Sequence, residues 1–138
     1  MKDIEQISGD VIDVAIRLHR QLGPGLLETV YETILASKLT QMGYAVARQS
    51  PIDIEFEGLR FDGAFRIDLV VESRLVVEIK SIERLAPVHA KQLLTYLRLS
   101  HQPVGLLINF GGATLKEGLK RVVNDYLPSA SPRLRVNL

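Results

Sequence analysis

The chain reads as an α/β protein, a mixed sheet packed against helices. Three observations predict this class. Two amphipathic helical stretches open the chain, the apolar period changes from helical to alternating near Tyr44, and a helical stretch separates the third strand from an apolar fourth. Antiparallel meander strands followed by a helical crossover require a mixed sheet.

Residues 3–22 form the first predicted helix, with Ile4, Ile7, Val11, Val14, Leu18 and Leu22 at helical spacing and Gly9 weakening its middle. Gly23-Pro24-Gly25 stops it. A second helix spans about 26–42, with an apolar stripe of Leu27, Val30, Tyr31, Ile34, Leu35 and Leu39 and Gly43 as its C-terminal cap. The first strand is expected over 44–56, broken near Ser50-Pro51, and Glu57-Gly58 makes a turn. Strands follow at about 60–71 and 75–81. A helix over 86–99 buries Ala90, Leu93, Leu94 and Leu97. The continuous apolar run Val104–Ile108 marks a strand covered on both faces, placed near a sheet edge with either the C-terminal segment or a second copy over it. A short helix is expected at 115–126. Residues 1–127 then make a single domain, and 128–138, with Pro128, Ser129, Ser131 and Pro132, a loose C-terminal tail.

Composition bounds the function. The 138 residues fit one domain of ordinary size. A hydrophobic fraction of 46% with 24% charged residues argues against disorder. The absence of cysteine excludes disulfides, zinc–thiolate sites and cysteine nucleophiles. No signal-peptide core opens the chain and no run reaches the roughly 18 apolar residues of a membrane helix, so a cytoplasmic protein is expected. A net charge of +1 means that any nucleic-acid binding comes from a local patch.

The chemistry lies in Arg66–Lys80. A turn centred on Ser73 makes an antiparallel hairpin that sets Asp68 opposite Glu78 and Arg66 opposite Lys80. One face then holds Ile67, Leu69, Val71, Leu75, Val77 and Ile79, all apolar. The other holds Arg66, Asp68, Val70, Glu72, Arg74, Val76, Glu78 and Lys80. A one-residue slip would bury the charges, so the register is strongly specified. Two carboxylates directly opposite, with β-carbons roughly 4.5–5.5 Å apart, repel each other, and a hard divalent cation such as Mg²⁺ removes that penalty. Lys80 shares their face and could orient a water or stabilise charge on a phosphate. Read from charge alone, the face could equally be a solvated one with ordinary ion pairs. Val70 and Val76 on it suggest a partly covered cleft.

Asp68 followed by Glu78-Ile79-Lys80 resembles the Asp…Glu-x-Lys signature of the PD-(D/E)XK nuclease superfamily. Gly25-Leu26-Leu27-Glu28-Thr29-Val30-Tyr31 resembles the motif of the bacterial GxxExxY proteins, as do Val77–Ser81, Gln92–Leu97 and Gly105–Gly111. The resemblance spans about residues 4–124. It implies a restriction endonuclease-like αβββαβ core with an extra N-terminal helix. It further implies that Glu28, Asp68, Glu78 and the backbone carbonyl of Ile79 bind the metal, Mg²⁺ or Mn²⁺. Lys80 would position the attacking water, and Gln92 and Tyr96, one turn apart on a helix, would hold substrate or Lys80. Ile67 stands where the superfamily name has proline; it fits the apolar face and touches no chemistry. His89 and Tyr31 read as a surface and a core residue, and Gly25 as serving the turn.

The function implied is metal-dependent phosphodiester hydrolysis of DNA, or of RNA. The competing reading is a catalytically silent nuclease fold that binds nucleic acid or a protein. A phosphatase acting on a small substrate is disfavoured by the lack of a Gly-rich phosphate loop. So small a chain has little surface for reading bases, so weak sequence preference, or help from a homodimer or another protein, is expected.

Overall fold

The computed structural model describes residues 2–125. The order is α1 (Ile4–Leu22), α2 (Glu28–Gln41), β1 (Val46–Phe56), β2 (Leu59–Val71), β3 (Leu75–Lys80), α3 (Pro87–Ser100), β4 (Val104–Asn109), a short 3₁₀ turn (Lys116–Gly118) and β5 (Leu119–Val123). The strands lie in the order β1-β2-β3-β4-β5. Only β3 and β4 run parallel, joined through α3, so the sheet is mixed as the sequence predicts. Among the described residues no helix is long and apolar enough to cross a membrane.

Asp3 starts α1 with a capping box: its Oδ1 accepts from the Gln6 N–H at 2.9 Å, and its own N–H donates to Gln6 Oε1 at 3.0 Å. Ile7, Val11, Val14 and Leu18 of α1 join Tyr31, Leu35, Ala36 and Leu39 of α2 over Leu69, Val71, Leu75, Val77 and Ile79. On the other sheet face Leu93 and Leu97 of α3 cover Ile67, Val76 and Leu107, with Ala90 partly buried beside them. The sheet is thus sandwiched between helices. Leu27 and Val30 depart from the expected α2 stripe and are exposed, because the helix begins only at Glu28 and turns Tyr31 inward.

The β2–β3 register is the predicted one: Leu69↔Val77, Val70↔Val76 and Val71↔Leu75 about a turn at Glu72-Ser73. One residue departs from the predicted faces. Ile67 packs with Val76 and α3, whereas Leu69 packs with α1 and α2, so the alternation breaks at Asp68. Gln49, between the β1 partners of Leu69 and Ile67, has a left-handed φ of 49°, which twists the ribbon there. The break expected near Ser50-Pro51 is not a strand end: β1 runs on, and the ladder instead shifts register between Ile52 and Ile54. Ser50 and Pro51 both pair with β2, and Pro51 is tolerated because β1 is an edge strand.

One further expectation needs correction: residues 119–123 are a strand, not part of a helix. β4 lies next to the sheet edge, as expected, and of the two expected covers it is the following segment of the chain, β5, that takes the place. β4 is buried along its whole length, and its free backbone edge must find hydrogen-bond partners. β5 supplies them, from Ile108↔Leu119 to Val104↔Val123, so the chain covers its own apolar strand. The predicted tail, 128–138, lies outside the described residues.

The loops at the C-terminal ends of β3 and β4 are locked together. Buried Asn109 accepts from the N–H groups of Ile82 and Gly111 and donates to the Ile82 carbonyl at 2.9 Å. His19 donates through Nε2 to the Gly112 carbonyl, also at 2.9 Å, pinning α1 to the same loop. A Cβ on Gly111 would lie 2.1 Å from the Ile82 carbonyl oxygen, whereas one on Gly112 meets nothing closer than 3.5 Å. Gly111→Ala is therefore expected to destabilise the fold by about 2 kcal/mol or more. Gly112→Ala should stay within about 0.5 kcal/mol of wild type. Urea midpoints of the two variants, measured side by side, check the difference.

Candidate functional site

The backbone ladder between β2 and β3 ends at Leu69↔Val77, and one residue further on the two carboxylates take over its hydrogen bonds. The Asp68 N–H donates to Glu78 Oε1 at 3.2 Å, and the Ile79 N–H donates to Asp68 Oδ2 at 2.8 Å. Each acid thus holds the opposite strand at the fork. Glu78 is buried, and Lys80, two residues on, is half-buried.

The electrostatics follow from this placement. Burial pushes the Glu78 carboxyl up to about 8, and the charge of Asp68 adds to the shift. The Asp68 N–H and the Lys80 ammonium oppose it without cancelling it. Tyr96 on α3 lies in the same field. Burial first, then the charges of Glu78 and Asp68, raise its hydroxyl above the ordinary tyrosine value. Its ring stacks on Phe65 with centroids 4.2 Å apart.

Asp68, Glu78, Lys80 and Tyr96 are therefore brought together. Gln92 is exposed one turn before Tyr96, and its side chain makes no hydrogen bond among the described residues. Ile79 contributes its N–H to Asp68 and buries its side chain in the core. His89 stands at the start of α3, where its Nδ1 accepts from the Ala86 N–H at 2.9 Å.

Glu28 opens α2 and is exposed. It lines a cavity of about 600 Å³ with Leu26, Ser81, Ile82 and Gly111, at the C-terminal end of β3. The segment before it is held from several sides. The Tyr31 hydroxyl donates to the Gly23 carbonyl at 2.6 Å and accepts from the Leu26 N–H at 3.2 Å. Its ring stacks on Phe110 at 4.3 Å. Ser81, next to Lys80, donates to the Leu26 carbonyl. Gly25 has a φ of 101°, so the turn needs glycine there, as expected.

Three residues that sequence reasoning missed adjoin the pair. Buried Glu32 on α2 receives Arg48 and Gln49 of β1, and Gln49 also reaches Asp68. A signal existed: Glu32 interrupts the otherwise apolar buried face made by Tyr31, Leu35, Ala36 and Leu39.

The donor set fits a hard divalent cation. Two carboxylates forced together, one buried, resist ionising together, a cost that such an ion removes, and Mg²⁺ commonly takes one or two protein carboxylates with water and phosphate. No group of three acidic or histidine side chains that could hold a metal forms among the described residues, so Glu28 does not join the pair in this arrangement. The sequence model of the PD-(D/E)XK nuclease superfamily matches residues 5–122. No curated protein and no solved structure gives a significant match.

The raised Glu78 carboxyl has a consequence for stability. Between its ordinary value of 4.5 and about 8, the folded protein keeps a proton that the unfolded chain has released. Stability should therefore fall as pH rises through this window, with a slope of at most about 1.4 kcal/mol per pH unit. Unfolding in urea with EDTA, from pH 5 to 8, should show the decline, and Glu78→Gln should flatten it. Equal slopes for both proteins would mean that Glu78 ionises as an ordinary carboxylate.

Proposed function

The chain belongs to the PD-(D/E)XK nuclease superfamily, and from that premise we propose that it is a Mg²⁺- or Mn²⁺-dependent nuclease that hydrolyses phosphodiester bonds, of DNA ahead of RNA. The observation that carries this is the Asp68–Glu78 pair at the strand fork with Lys80 on the same strand. We further assign the chain to the GxxExxY group within the superfamily. The Gly25–Tyr31 segment supports this, since its glycine and glutamate line the cavity beside Ser81 at the end of β3, while its tyrosine closes the turn onto Gly23 and Leu26.

Asp68 and Glu78 would hold the cation, with the Ile79 carbonyl and Glu28 as further ligands once substrate is present. When bound, the ion polarises the scissile phosphate and lowers the pKa of a water. The remaining work falls to side chains. The Lys80 ammonium, beside Glu78, orients the attacking water and stabilises negative charge on the phosphate. Tyr96, whose hydroxyl keeps its proton in the field of the two acids, donates a hydrogen bond to substrate. Gln92, exposed one turn away, extends that contact along the nucleic acid. Weak sequence preference follows from the small surface, and a second copy or another protein would supply base recognition. A cysteine-free chain of this kind suits the cytoplasm.

The test uses linear and circular DNA, single- and double-stranded, and a structured RNA, each with Mg²⁺, Mn²⁺ or EDTA. Cleavage should require the ion and fall by about 100-fold or more in Lys80→Ala. Asp68→Asn should reduce it at least as far. Absence of cleavage by the wild type on every substrate would sink this proposal in favour of a silent binding module.

A further inference from the structure

Arg48 and Gln49 are neighbours on β1, so a regular strand would send their side chains to opposite faces. Instead both reach Glu32. Arg48 Nε and Nη2 lie 3.1 and 2.9 Å from Glu32 Oε2, and Gln49 Nε2 lies 2.7 Å from Oε1. The backbone of Gln49 makes this geometry possible. Its φ of 49° is left-handed, a conformation that glycine adopts freely and a residue with a Cβ does not.

The same Gln49 nitrogen lies 3.2 Å from Asp68 Oδ1. A primary amide nitrogen carries two hydrogens, so it can serve both carboxylates at once. The flipped amide would set an oxygen against two carboxylate oxygens, which fixes the orientation. Asp68 is thereby gripped from two sides: Oδ1 by Gln49 and Oδ2 by the Ile79 N–H.

We propose that Gln49 is a positioning residue, anchored by buried Glu32, that orients the Asp68 carboxylate for the divalent cation. The proposal rests on the nuclease reading above. Glutamine suits the place for a specific reason. The task needs two donors on one atom and no charge. A lysine would set a cation beside the incoming one, and a glutamate would bring a third carboxylate and no donor. Arg48 completes the device by neutralising Glu32, so that the anchor does not add a further uncompensated negative charge near Asp68.

The experiment measures Mn²⁺ binding to the purified full chain by calorimetry, and separately the Mn²⁺ concentration that gives half-maximal cleavage. Three proteins are compared: wild type, Gln49→Gly and Gln49→Met. Gln49→Gly accepts the left-handed backbone but has no amide, and Gln49→Met keeps the length without charge or donors. Both should fold and bind Mn²⁺ about 10-fold or more weakly, the size expected when the partner of a metal ligand is lost. The half-maximal Mn²⁺ concentration should rise by the same factor, with KM for nucleic acid unchanged at saturating Mn²⁺. A purely architectural role would lower the urea midpoint and leave Mn²⁺ affinity of the folded protein alone. Wild-type affinity in either folded variant overturns the role of Gln49. If the wild type cleaves nothing and takes up no Mn²⁺, the nuclease reading falls and this proposal with it. If it cleaves and binds while the variants match it, only Gln49 is wrongly assigned.

Discussion

The site depends on the place where β2 and β3 part. As far as Leu69↔Val77 the strands satisfy each other's backbone, and at Asp68 and Glu78 the side chains take over that work. Backbone N–H groups are obligatory donors, so a fork inside a sheet must supply acceptors. Here the acceptors are two acids, and the consequence is that they do not readily ionise together. Burial of Glu78, and then the charge of Asp68, keep a proton on Glu78 up to about pH 8. The rest of the fold holds the fork in place. β3 stays fixed because its other edge pairs with β4 along its whole length, and β4 is in turn backed by β5.

The segment Gly25–Tyr31 is tied to the C-terminal ends of β3 and β4, beyond the fork. Most of its residues are architectural. Tyr31 closes the turn through its hydroxyl and stacks on Phe110 at the end of β4, while Ser81 ties the turn to the end of β3. The result carries the start of α2, and with it Glu28, to the strand ends where Lys80 also lies. Several positions of this short motif thus shape one loop.

Much of this was legible in the residues. The β2–β3 register followed from the apolar face alone, since any slip would bury charge, and the three longer helices followed from their apolar spacing. What escaped was set by tertiary demand or by local twist. Residues 119–123 look locally helical, yet the buried edge of β4 requires a strand there. The face of Ile67 could not be read because alternation breaks at Asp68. Glu32, Arg48 and Gln49 escaped for a related reason: a left-handed residue inside a strand voids the rule that places side chains. Whether Asp68 and Glu78 approach each other was readable; how Asp68 is held was not.

Two of the non-glycine residues in left-handed backbone, Glu72 and Gln49, share a pattern. Glu72 accepts from the Ala45 N–H through its carboxylate and donates its own N–H to the Ala45 carbonyl, tying the β2–β3 turn to the start of β1. Gln49 ties the same strand to Glu32 and Asp68. Glycine would relieve the backbone at either position, and in both it would remove the side chain that makes the link. β1 is an edge strand paired only with β2, so these ties add to the ladder in fixing where it lies. The position of β1 reaches Asp68 directly through one amide. An edge strand that would otherwise serve only to finish the sheet thereby becomes part of the support for the acid at its centre.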